Sequence, residues 1–534
     1  MARFEKLILT LAVLLLFTGC GAEYYRRSAD KEAYRIIQDK SQAVEEMPAG
    51  FHIESATIPA DATALFVPEE LNLIDAVEIA VANSRAYQTR KENLYLQALS
   101  LSSSRHEFDP IFSGKISGDL NHDAANRESF SGILSTGVSK MLATGADLSA
   151  AISTSAFRYI SSGDAASAAG TAFSAGLVQP LLKGAGRDVT LENLTQAERE
   201  MVYGIREFVR YRKSFSIGIA KRYYDLLQRA DEIRNASRNY ENLQYLRNRT
   251  ENMAQAGRAA SFEVDQAYQR ELQAWDNCVR TQERYSGALD EFKLDLGIPT
   301  DLPIRLATSE LEIIETRGLE DFRITVEEAV QTALEKRLDI KTQWERVEDA
   351  KRKVTVAKNN LKPRLDLILD YSAKTDASQP LDFGDGEDSY SVGADLDLPL
   401  DKKSDRNAYR RSLINLASAQ RSLEQATDEV KLQVRDAYRA LEQARQTYDI
   451  QRESLRLAQQ RAESTQLLQQ AGRAVTRDVL EAEQDLLDAK NALTRALIAH
   501  LNARLDLFIA MESLRIDEGG IWEEERQRSP LPSP

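Results

Sequence analysis

The strongest constraint on the fold is a proline-free stretch from Asp401 to Arg515. Apolar residues recur along its first part at heptad spacing, which predicts helices packed side by side in a coiled-coil seam. The two rows contain Leu416, Leu423, Val430, Ala437, Ala444 and Ala458, and Val434, Leu441, Tyr448, Leu455 and Ala462. Gly472 interrupts the pattern, and glycine tolerates the positive φ at which many helices end. We therefore expect an antiparallel helical hairpin with arms of roughly 60 and 40 residues, the longer one about 90 Å long at a rise of about 1.5 Å per residue.

The arm after Gly472 carries a row of large residues beside an unbroken row of alanines. These rows are Val479, Leu486, Leu493, His500 and Leu507, and Ala482, Ala489, Ala496, Ala503 and Ala510. Because alanine lets a neighbouring helix come close, this arm predicts tight helix packing. A hairpin of this length on one chain needs partners along its whole length.

The prolines divide the rest of the chain. All 13 lie outside the intervals 181–298 and 400–529, so two long helical blocks alternate with broken segments. This arrangement explains the 534 residues better than three or four globular domains would. Aromatic residues make up only 7% of the chain, which is typical of coiled coils rather than of globular enzymes.

Charge and residue types exclude several classes of function. The formal net charge of -14 is unfavourable for binding nucleic acid. The two cysteines, Cys20 and Cys278, are too few for a disulfide framework. The four histidines have no metal-ligand spacing, and no phosphate-binding or dinucleotide-binding loop is present. We therefore expect no enzyme activity, no catalytic residues, no metal and no cofactor apart from a covalent lipid.

The first 20 residues resemble a bacterial lipoprotein signal. Arg3 and Lys6 precede an apolar run from Leu7 to Phe17 that is too short to cross a bilayer as a helix. Thr18-Gly19-Cys20 then resembles the lipobox, in which the cysteine is cleaved and acylated, with palmitate as one of its acyl chains. Gly21, instead of aspartate, implies transfer to the outer membrane by the same resemblance. An ordinary signal peptide that ends near a cysteine is the alternative.

The chain contains two tandem copies of one unit. Three blocks match in the same order: Leu73–Ala80 with Val326–Ala333, Gln179–Leu181 with Leu398–Leu400, and Ala256–Ala259 with Ala471–Ala474. Each copy reads as a helix, a proline, strands, a second proline and a long helical hairpin. The first helix is expected from about Leu71 to Glu107 and its counterpart from about Val326 to Asn360, and the first hairpin is expected to turn at Gly257.

The segments after Pro110 and Pro363 alternate with period two. Phe112, Ile116 and Leu120 share one face of the first, and Leu365, Leu367, Leu369 and Tyr371 share one face of the second. Such apolar-out and polar-in alternation is typical of a transmembrane barrel strand. A half-buried strand of a soluble sheet is the alternative. Since no later stretch reaches 18 continuous apolar residues, a membrane crossing would have to use strands.

The strand regions of the two copies differ in length. The first runs for 69 residues from Ile111 to Gln179, and the second for 35 from Arg364 to Leu398. The surplus contains another alternating segment, Ala146 to Ser153, which either adds a hairpin to the sheet or forms an external loop. Four or six strands are fewer than the eight of the smallest membrane barrels, so one chain cannot close a barrel and must oligomerise.

The signal, the duplicated unit and the stretches Leu177–Arg187 and Gly472–Leu480 resemble the TolC-type outer membrane efflux protein family over roughly residues 20 to 515. The resemblance implies an α+β membrane protein in which three chains form a twelve-stranded transmembrane β-barrel that continues into a periplasmic α-helical barrel. The implied parts are a signal peptide (1–19), a lipid-anchored segment (20–70), a first repeat (71–298), an equatorial linker (299–323), a second repeat (324–515) and a C-terminal tail (516–534) whose end looks disordered.

The resemblance also implies particular sites. The hairpin tips Gly257, Arg258, Gly472 and Arg473 would contact a periplasmic adaptor (membrane fusion) protein, which couples the channel to an inner-membrane pump. Asp478 and Glu481 would form acidic rings that close the periplasmic gate. The arginine that latches this gate in the family falls on Ala474 here.

The function implied is an exit duct for efflux or type I secretion. The alternative is a lipid-anchored periplasmic coiled-coil scaffold without a pore. Drugs, metals, small metabolites and secreted polypeptides all remain open as cargo.

Overall fold

The computed structural model describes residues 21–44, 46–48, 50–53, 68, 70–122, 128–159, 167–319, 324–375, 383 and 387–528. The signal peptide and Cys20 lie outside these ranges. The helices are α1 (Ala22–Ser41), α2 (Leu73–Asn83), α3 (Arg85–His106), α4 (Arg187–Thr190), α5 (Glu192–Gln255), α6 (Ser261–Leu296), α7 (Ser309–Arg317), α8 (Val326–Lys336), α9 (Leu338–Asn359), α10 (Lys403–Gln470), α11 (Thr476–Met511) and α12 (Glu523–Arg528). The strands are β1 (Ile111–His122), β2 (Glu128–Met141), β3 (Asp147–Tyr159), β4 (Ser167–Pro180), β5 (Arg364–Lys374) and β6 (Glu387–Asp397).

The chain forms two compact units. The sheet unit consists of residues 1–44, 94–205 and 341–424, and the hairpin unit consists of residues 45–93, 206–340 and 425–534. The sheet unit holds all six strands, and the hairpin unit holds both turns of the long helical hairpins.

The six strands form one antiparallel sheet in the order β1-β2-β3-β4-β5-β6. Its register places one residue from each strand in rows across the sheet. One row is Phe112, Val138, Ala150, Ala175, Tyr371 and Tyr390. The next row, on the opposite face, is Ser113, Gly137, Ala151, Ser174, Ser372 and Ser389. The alternation expected from the sequence is therefore confirmed, with one apolar face and one face of small and polar residues.

The structure decides what the surplus residues of the first copy do. The segment Ala146–Ser153, which the sequence left as either a hairpin or an external loop, belongs largely to β3, and β2 precedes it. Both strands pair along their length with their neighbours in the sheet. The first copy therefore contributes four strands and the second contributes two.

The helix before each strand region is divided in two. The single helices expected at about 71–107 and 326–360 are wrong in this respect, because α2 and α3 are separated at Ser84 and α8 and α9 at Arg337. Both residues adopt extended backbone, with ψ of 123° and 121°. They are equivalent positions of the two repeats, so the break is a property of the unit. Neither break contains proline, and tertiary contacts impose it.

The packing around each break supplies the cause. A Cβ at Gly297 would lie 2.9 Å from the backbone nitrogen of Ser84, so the chain there passes against the end of α6. At the second break the buried Arg337 donates hydrogen bonds to Gln433 Oε1 at 2.8 Å and to the carbonyl of Ala510 at 3.4 Å. Arg337 therefore links its own break to α10 and α11.

The main apolar core lies in the hairpin unit. It combines residues of α2, α5, α6 and α11, among them Val77, Tyr223, Leu227, Phe292, Leu296, Ile498 and Leu505. Ile521 and Trp522 of the C-terminal tail are also buried in this core, which the sequence did not predict. The tail is folded as far as Arg528, and residues 529–534 lie outside the described ranges.

The expected coiled-coil rows of α10 are buried at Val430, Val434, Leu441, Tyr448 and Ala462 of the hairpin unit. Val430, Val434 and Leu441 of α10 pack with Ala503 and Leu507 of α11 in a second core cluster. The alanine row of α11 is buried at Ala482, Ala489, Ala496 and Ala503. The heptad prediction for these two helices is confirmed.

Candidate functional site

The two hairpin tips share one backbone geometry. Gly257 and Gly472 have φ of +69° and +70°, which is the left-handed conformation expected of a glycine that ends a helix. The following amides of Arg258 and Arg473 each donate to a carbonyl five residues back, at 2.8 Å in both tips. The duplicated Ala-Gly-Arg motif therefore forms the same helix-ending turn twice, and both arginines are exposed.

A hydroxyl connects the two tips within the hairpin unit. Thr476, the first residue of α11, donates to Glu263 Oε2 near the start of α6 at 2.7 Å. The side chain of Gln469, at the end of α10, donates in turn to Thr476 Oγ1 at 3.4 Å. Gln469 and Thr476 are both buried, so this polar contact is shielded from water. It brings the start of α11, just after the second turn, against the start of α6, just after the first turn.

Apolar packing orients the start of α11. Val479 and Leu480 are buried against Leu243, Leu246 and Ala274 of the first hairpin. Because these residues fix one side of α11, the neighbouring acids lie toward its other sides. Asp478 is half-buried and Glu481 is exposed.

The two gate candidates lie one turn apart on α11 and have different contacts. The Asp478 carboxylate accepts from the backbone N–H of Val475 at 3.4 Å, which places negative charge at the helix N-terminus, where the helix dipole favours it. Glu481 lies 3.4 Å from Arg461 of α10, and its side chain is 58% exposed. Within one chain, the structure brings the two acids onto the same end of one helix.

Sequence reasoning missed three residues that extend this acidic group. Arg461 pairs with Asp485 as well as with Glu481, so one guanidinium contacts two acids on successive turns of α11. Asp488 follows on the next turn and accepts a hydrogen bond from Gln484 at 3.1 Å. Asp485 and Asp488 lie one heptad after Asp478 and Glu481, and this spacing is the signal that was available to find them.

The position of the expected latch carries no arginine. Ala474 is half-buried in the turn, and Arg473 beside it is exposed. The arginine that contacts the acidic group is Arg461, which comes from the arm before the turn rather than from the turn itself.

Comparison with known protein families gives a match to the second repeat. Residues 329–511 match the family model described as outer membrane efflux protein. The resemblance drawn from the sequence is therefore confirmed over this segment, which includes both acids, Arg461 and the second tip.

Solved structures of membrane channels and outer membrane proteins have similar folds. The chain resembles CusC, whose structures were described for transmembrane channel formation, with a TM-score of 0.61 and 13% identity over 87% of this chain and 99% of that one. It resembles the CmeC outer membrane channel of Campylobacter jejuni with a TM-score of 0.61 and 15% identity over 85% and 88%. It also resembles the outer membrane protein VceC of Vibrio cholerae with a TM-score of 0.61 and 14% identity over 82% and 95%.

These likenesses cover 82% to 87% of this chain, and they confirm the duplicated strand-and-hairpin fold over that part. No curated protein matches the sequence significantly. Among the helices of the described ranges, none has the length and apolar character needed to span a membrane.

A partly buried network of charges joins α5 to the second helix break and to the end of α11. Arg210 of α5 lies 2.8 Å from Asp339 and 3.0 Å from Glu512, and Arg337 donates to Asp339 at 2.7 and 3.1 Å. Glu512 follows the end of α11 in the left-handed conformation, with φ of +54°, at the position where the first repeat has Gly297. The second copy therefore replaces a permissive glycine with an acid that binds Arg210, despite the strain of that conformation.

Burial and charge act in opposite directions on the two acids of this network. Burial raises the pKa of Glu512 above its usual value, and Arg210 only partly offsets the effect. Burial alone would also raise the pKa of Asp339, but the hydrogen bond from Arg337 and the charge of Arg210 outweigh it and hold this pKa below its usual value. Asp339 therefore pairs with both arginines, Arg210 and Arg337.

Proposed function

We propose that this chain is the outer membrane exit duct of a tripartite efflux or type I secretion system. It would act as a passive channel that accepts substrate from an inner-membrane pump through a periplasmic adaptor protein. The observation that supports this proposal best is the sheet, whose register separates an apolar face from a polar face across all six strands. A sheet of this kind suits a wall between lipid and a water-filled lumen. The family match over residues 329–511 supports the same function.

The edges of the sheet support a homotrimer. Within the described residues β1 pairs only with β2, and β6 pairs only with β5. In lipid each unpaired backbone group costs several kcal/mol, so the two edges need partners. Pairing β6 of one copy with β1 of the next closes a ring without open edges, and the family resemblance sets the number of copies at three.

We assign the membrane anchor to Cys20. Acylation there would attach the N-terminal segment, which continues into α1, to the lipid surface of the outer membrane. Replacing Cys20 with serine should abolish incorporation of labelled palmitate. A Cys278→Ser variant is the matched control, and it should keep the label. Label retained by Cys20→Ser would refute the assignment.

The gate is assigned to Asp478 and Glu481. In a trimer these residues would place six carboxylates around the periplasmic end of the lumen, where they would attract cations and repel anions. Crowding of this kind would also couple their titrations.

Conductance in planar bilayers tests the channel and the gate together. The wild-type protein should form cation-preferring channels, and replacing both Asp478 and Glu481 with alanine should lower the cation preference or raise the leak. Replacing Asp276 and Glu283, which are exposed acids on α6, removes the same charge elsewhere and should leave selectivity unchanged. Unchanged selectivity and leak in the first variant would exclude the two residues from the gate. Absence of channels in every variant would favour a periplasmic scaffold without a pore.

The adaptor contact is assigned to the tips at Gly257-Arg258 and Gly472-Arg473. Both turns are exposed and have the same shape, so they offer one recognition motif twice per chain. Lengthening both turns should abolish crosslinking to the adaptor while trimers remain intact on native gels. Crosslinking that survives the insertions would place the contact elsewhere.

A further inference from the structure

The strands β2 and β3 have no counterpart in the second copy. The offset that aligns Pro110 with Pro363 aligns β1 with β5, and the offset that aligns Pro180 with Pro399 aligns β4 with β6. In the second copy the equivalent strands, β5 and β6, pair directly with each other. In the first copy β2 and β3 are inserted between the equivalent strands β1 and β4.

The inserted hairpin lies in line with the sheet. Within the described residues β1 pairs with β2 alone, and β4 pairs with β3 and β5. If the hairpin were an appendage, β1 and β4 would pair with each other, as β5 and β6 do. The only continuous path of hydrogen bonds from β1 to β4 therefore passes through β2 and β3.

The inserted strands carry the same two faces as the rest of the sheet. Phe130, Leu134 and Val138 of β2 lie opposite Leu120, Ile116 and Phe112 of β1. On the other face the inserted strands present mostly small and hydroxyl side chains, together with the large apolar Ile133, Met141 and Phe157. The hydroxyl side chains are Ser131, Ser135 and Ser139 of β2 and Ser149, Ser153 and Ser155 of β3. Strands of 14 and 13 residues also exceed the length of about 9 to 11 residues that a membrane-crossing strand requires.

The turn between β2 and β3 is held by the segment that follows β4. Thr144 donates to Gln179 Oε1 at 2.9 Å, and its carbonyl accepts from the backbone N–H of Gly186 at 3.1 Å. Gly145 has φ of +91°, and a Cβ there would lie 2.7 Å from the carbonyl oxygen of Gly184.

The second copy lacks these supporting residues. Leu398, Lys403 and Asp405 stand where the first copy has Gln179, Gly184 and Gly186. The residues that hold the inserted turn therefore occur only in the copy that contains it.

We propose that all six strands of each chain lie in the wall of the barrel, so that three chains close an eighteen-stranded barrel instead of a twelve-stranded one. This inference rests on the trimeric channel proposed above. Because barrel diameter grows roughly linearly with strand number, the lumen within the outer membrane is about 1.5 times as wide as that of a twelve-stranded barrel. Apart from Ile133, Met141 and Asp147, the inner face of the inserted strands from Ser131 to Ser155 carries small and hydroxyl side chains. The cargo class that this lumen fits is a bulky, hydrophilic solute.

Cysteine labelling tests whether the hairpin is part of the wall. Single cysteines at Ser135 and Ser153, in a Cys278→Ala background, should react with a charged, membrane-impermeant thiol reagent applied to outer membrane vesicles. Cysteines at Val138 and Ile152, on the apolar face, should not react. Equal reactivity of both sets would show an external loop and overturn the proposal. This readout does not depend on conductance, so it stays informative if the protein forms no channel.

Polymer exclusion tests the width. Replacing residues 123–166 with an Asn-Gly turn joins β1 to β4 and leaves two strands in each copy. In planar bilayers, polyethylene glycols that are small enough to enter the barrel should lower the conductance when added on the barrel side. The largest polymer radius that still lowers it should be about 1.5 times as large for the wild type as for the shortened variant. Equal exclusion limits would overturn the proposal, whereas absence of channels in the wild type would instead refute the proposed function.

Discussion

At the scale of single residues, the two turn glycines are the positions where sequence and conformation agree most closely. The motif Ala-Gly-Arg occurs twice, and both glycines have the positive φ that the motif predicts. Neither has an atom within 4 Å of an added Cβ, so a side chain there would meet a conformational cost rather than a clash.

This distinction predicts opposite effects of the same substitution at two glycines. Gly472→Ala should lower the free energy of unfolding by about 1 to 2 kcal/mol, because alanine resists the left-handed conformation. Gly287→Ala, within α6, should raise it by about 1 kcal/mol, because that glycine is exposed, has open space around it and lies in a helix interior. Thermal unfolding of the assembled protein should show Tm shifts of opposite sign. Shifts of equal sign would contradict the assigned role of Gly472.

Arg461 is the residue whose removal should affect the acidic group most. Without it Glu481 and Asp485 lose their shared cationic partner, so the negative potential at this end of the lumen rises. Arg461→Ala should therefore increase the preference for cations over anions in reversal-potential measurements. Arg456→Ala is the matched control, because Arg456 pairs with Glu453 of its own helix. If the ion selectivity changed by a similar amount in both variants, Arg461 would have no specific effect on it.

At the scale of elements, one acid joins α1 to two other helices of its unit. Glu198 of α5 lies 2.5 Å from Lys40 of α1 and 2.7 Å from Arg105 of α3. Burial alone would raise the pKa of Glu198, but hydrogen bonds from Arg105 and Lys40 outweigh it and hold the pKa below its usual value.

The direction of this shift fixes how the attachment depends on pH. A lowered pKa in the folded state stabilises the attachment above the unfolded-state value of 4.5, and this stabilisation is lost as the pH falls through the lower folded-state pKa. Hydrogen exchange in α1, corrected for the intrinsic rate, should therefore increase when the pH drops below about 4.5. In Glu198→Gln, α1 should already exchange faster at neutral pH and lose this dependence, whereas Glu200→Gln should behave as wild type. If the pH dependence persisted in Glu198→Gln, other titratable groups would be its cause.

The elements also show what the sequence could and could not predict. Heptad rows and alternating strands could be predicted because each follows a local period, as at the buried Val430 and Val434 of α10 and at Phe112 on the apolar face of β1. The breaks at Ser84 and Arg337 were not readable, because no proline or glycine marks them. They follow from contacts with Gly297, Gln433 and Ala510, which are remote in sequence.

Some of the site residues could likewise be predicted from the sequence, and others could not. Both turns could be located from their glycines, and the acidic pair from its family resemblance. Arg461 and the Thr476 hydroxyl could not, because each meets its partners only when two hairpin arms lie side by side. The burial of Trp522 could likewise not be predicted, because the tail around it is rich in charged residues and proline.

At the scale of the whole molecule, the assembled channel should respond to salt. The proposed selectivity comes from charges that line water, and such charges are screened over about 10 Å at 0.1 M salt and about 3 Å at 1 M. The ratio of cation to anion permeability should therefore fall toward unity between these concentrations. The double alanine variant of Asp478 and Glu481 should show a weaker dependence. A ratio independent of salt would point to selection by pore size instead.

The hydroxyl of Thr476 has a mechanical consequence for the two tips. This hydroxyl donates a hydrogen bond to Glu263 and accepts one from Gln469. The two helices that follow the tips, α6 and α11, are therefore linked at their first turns within a single protomer. A protein that binds either turn therefore displaces both turns. Contact with one turn is enough to move the two together.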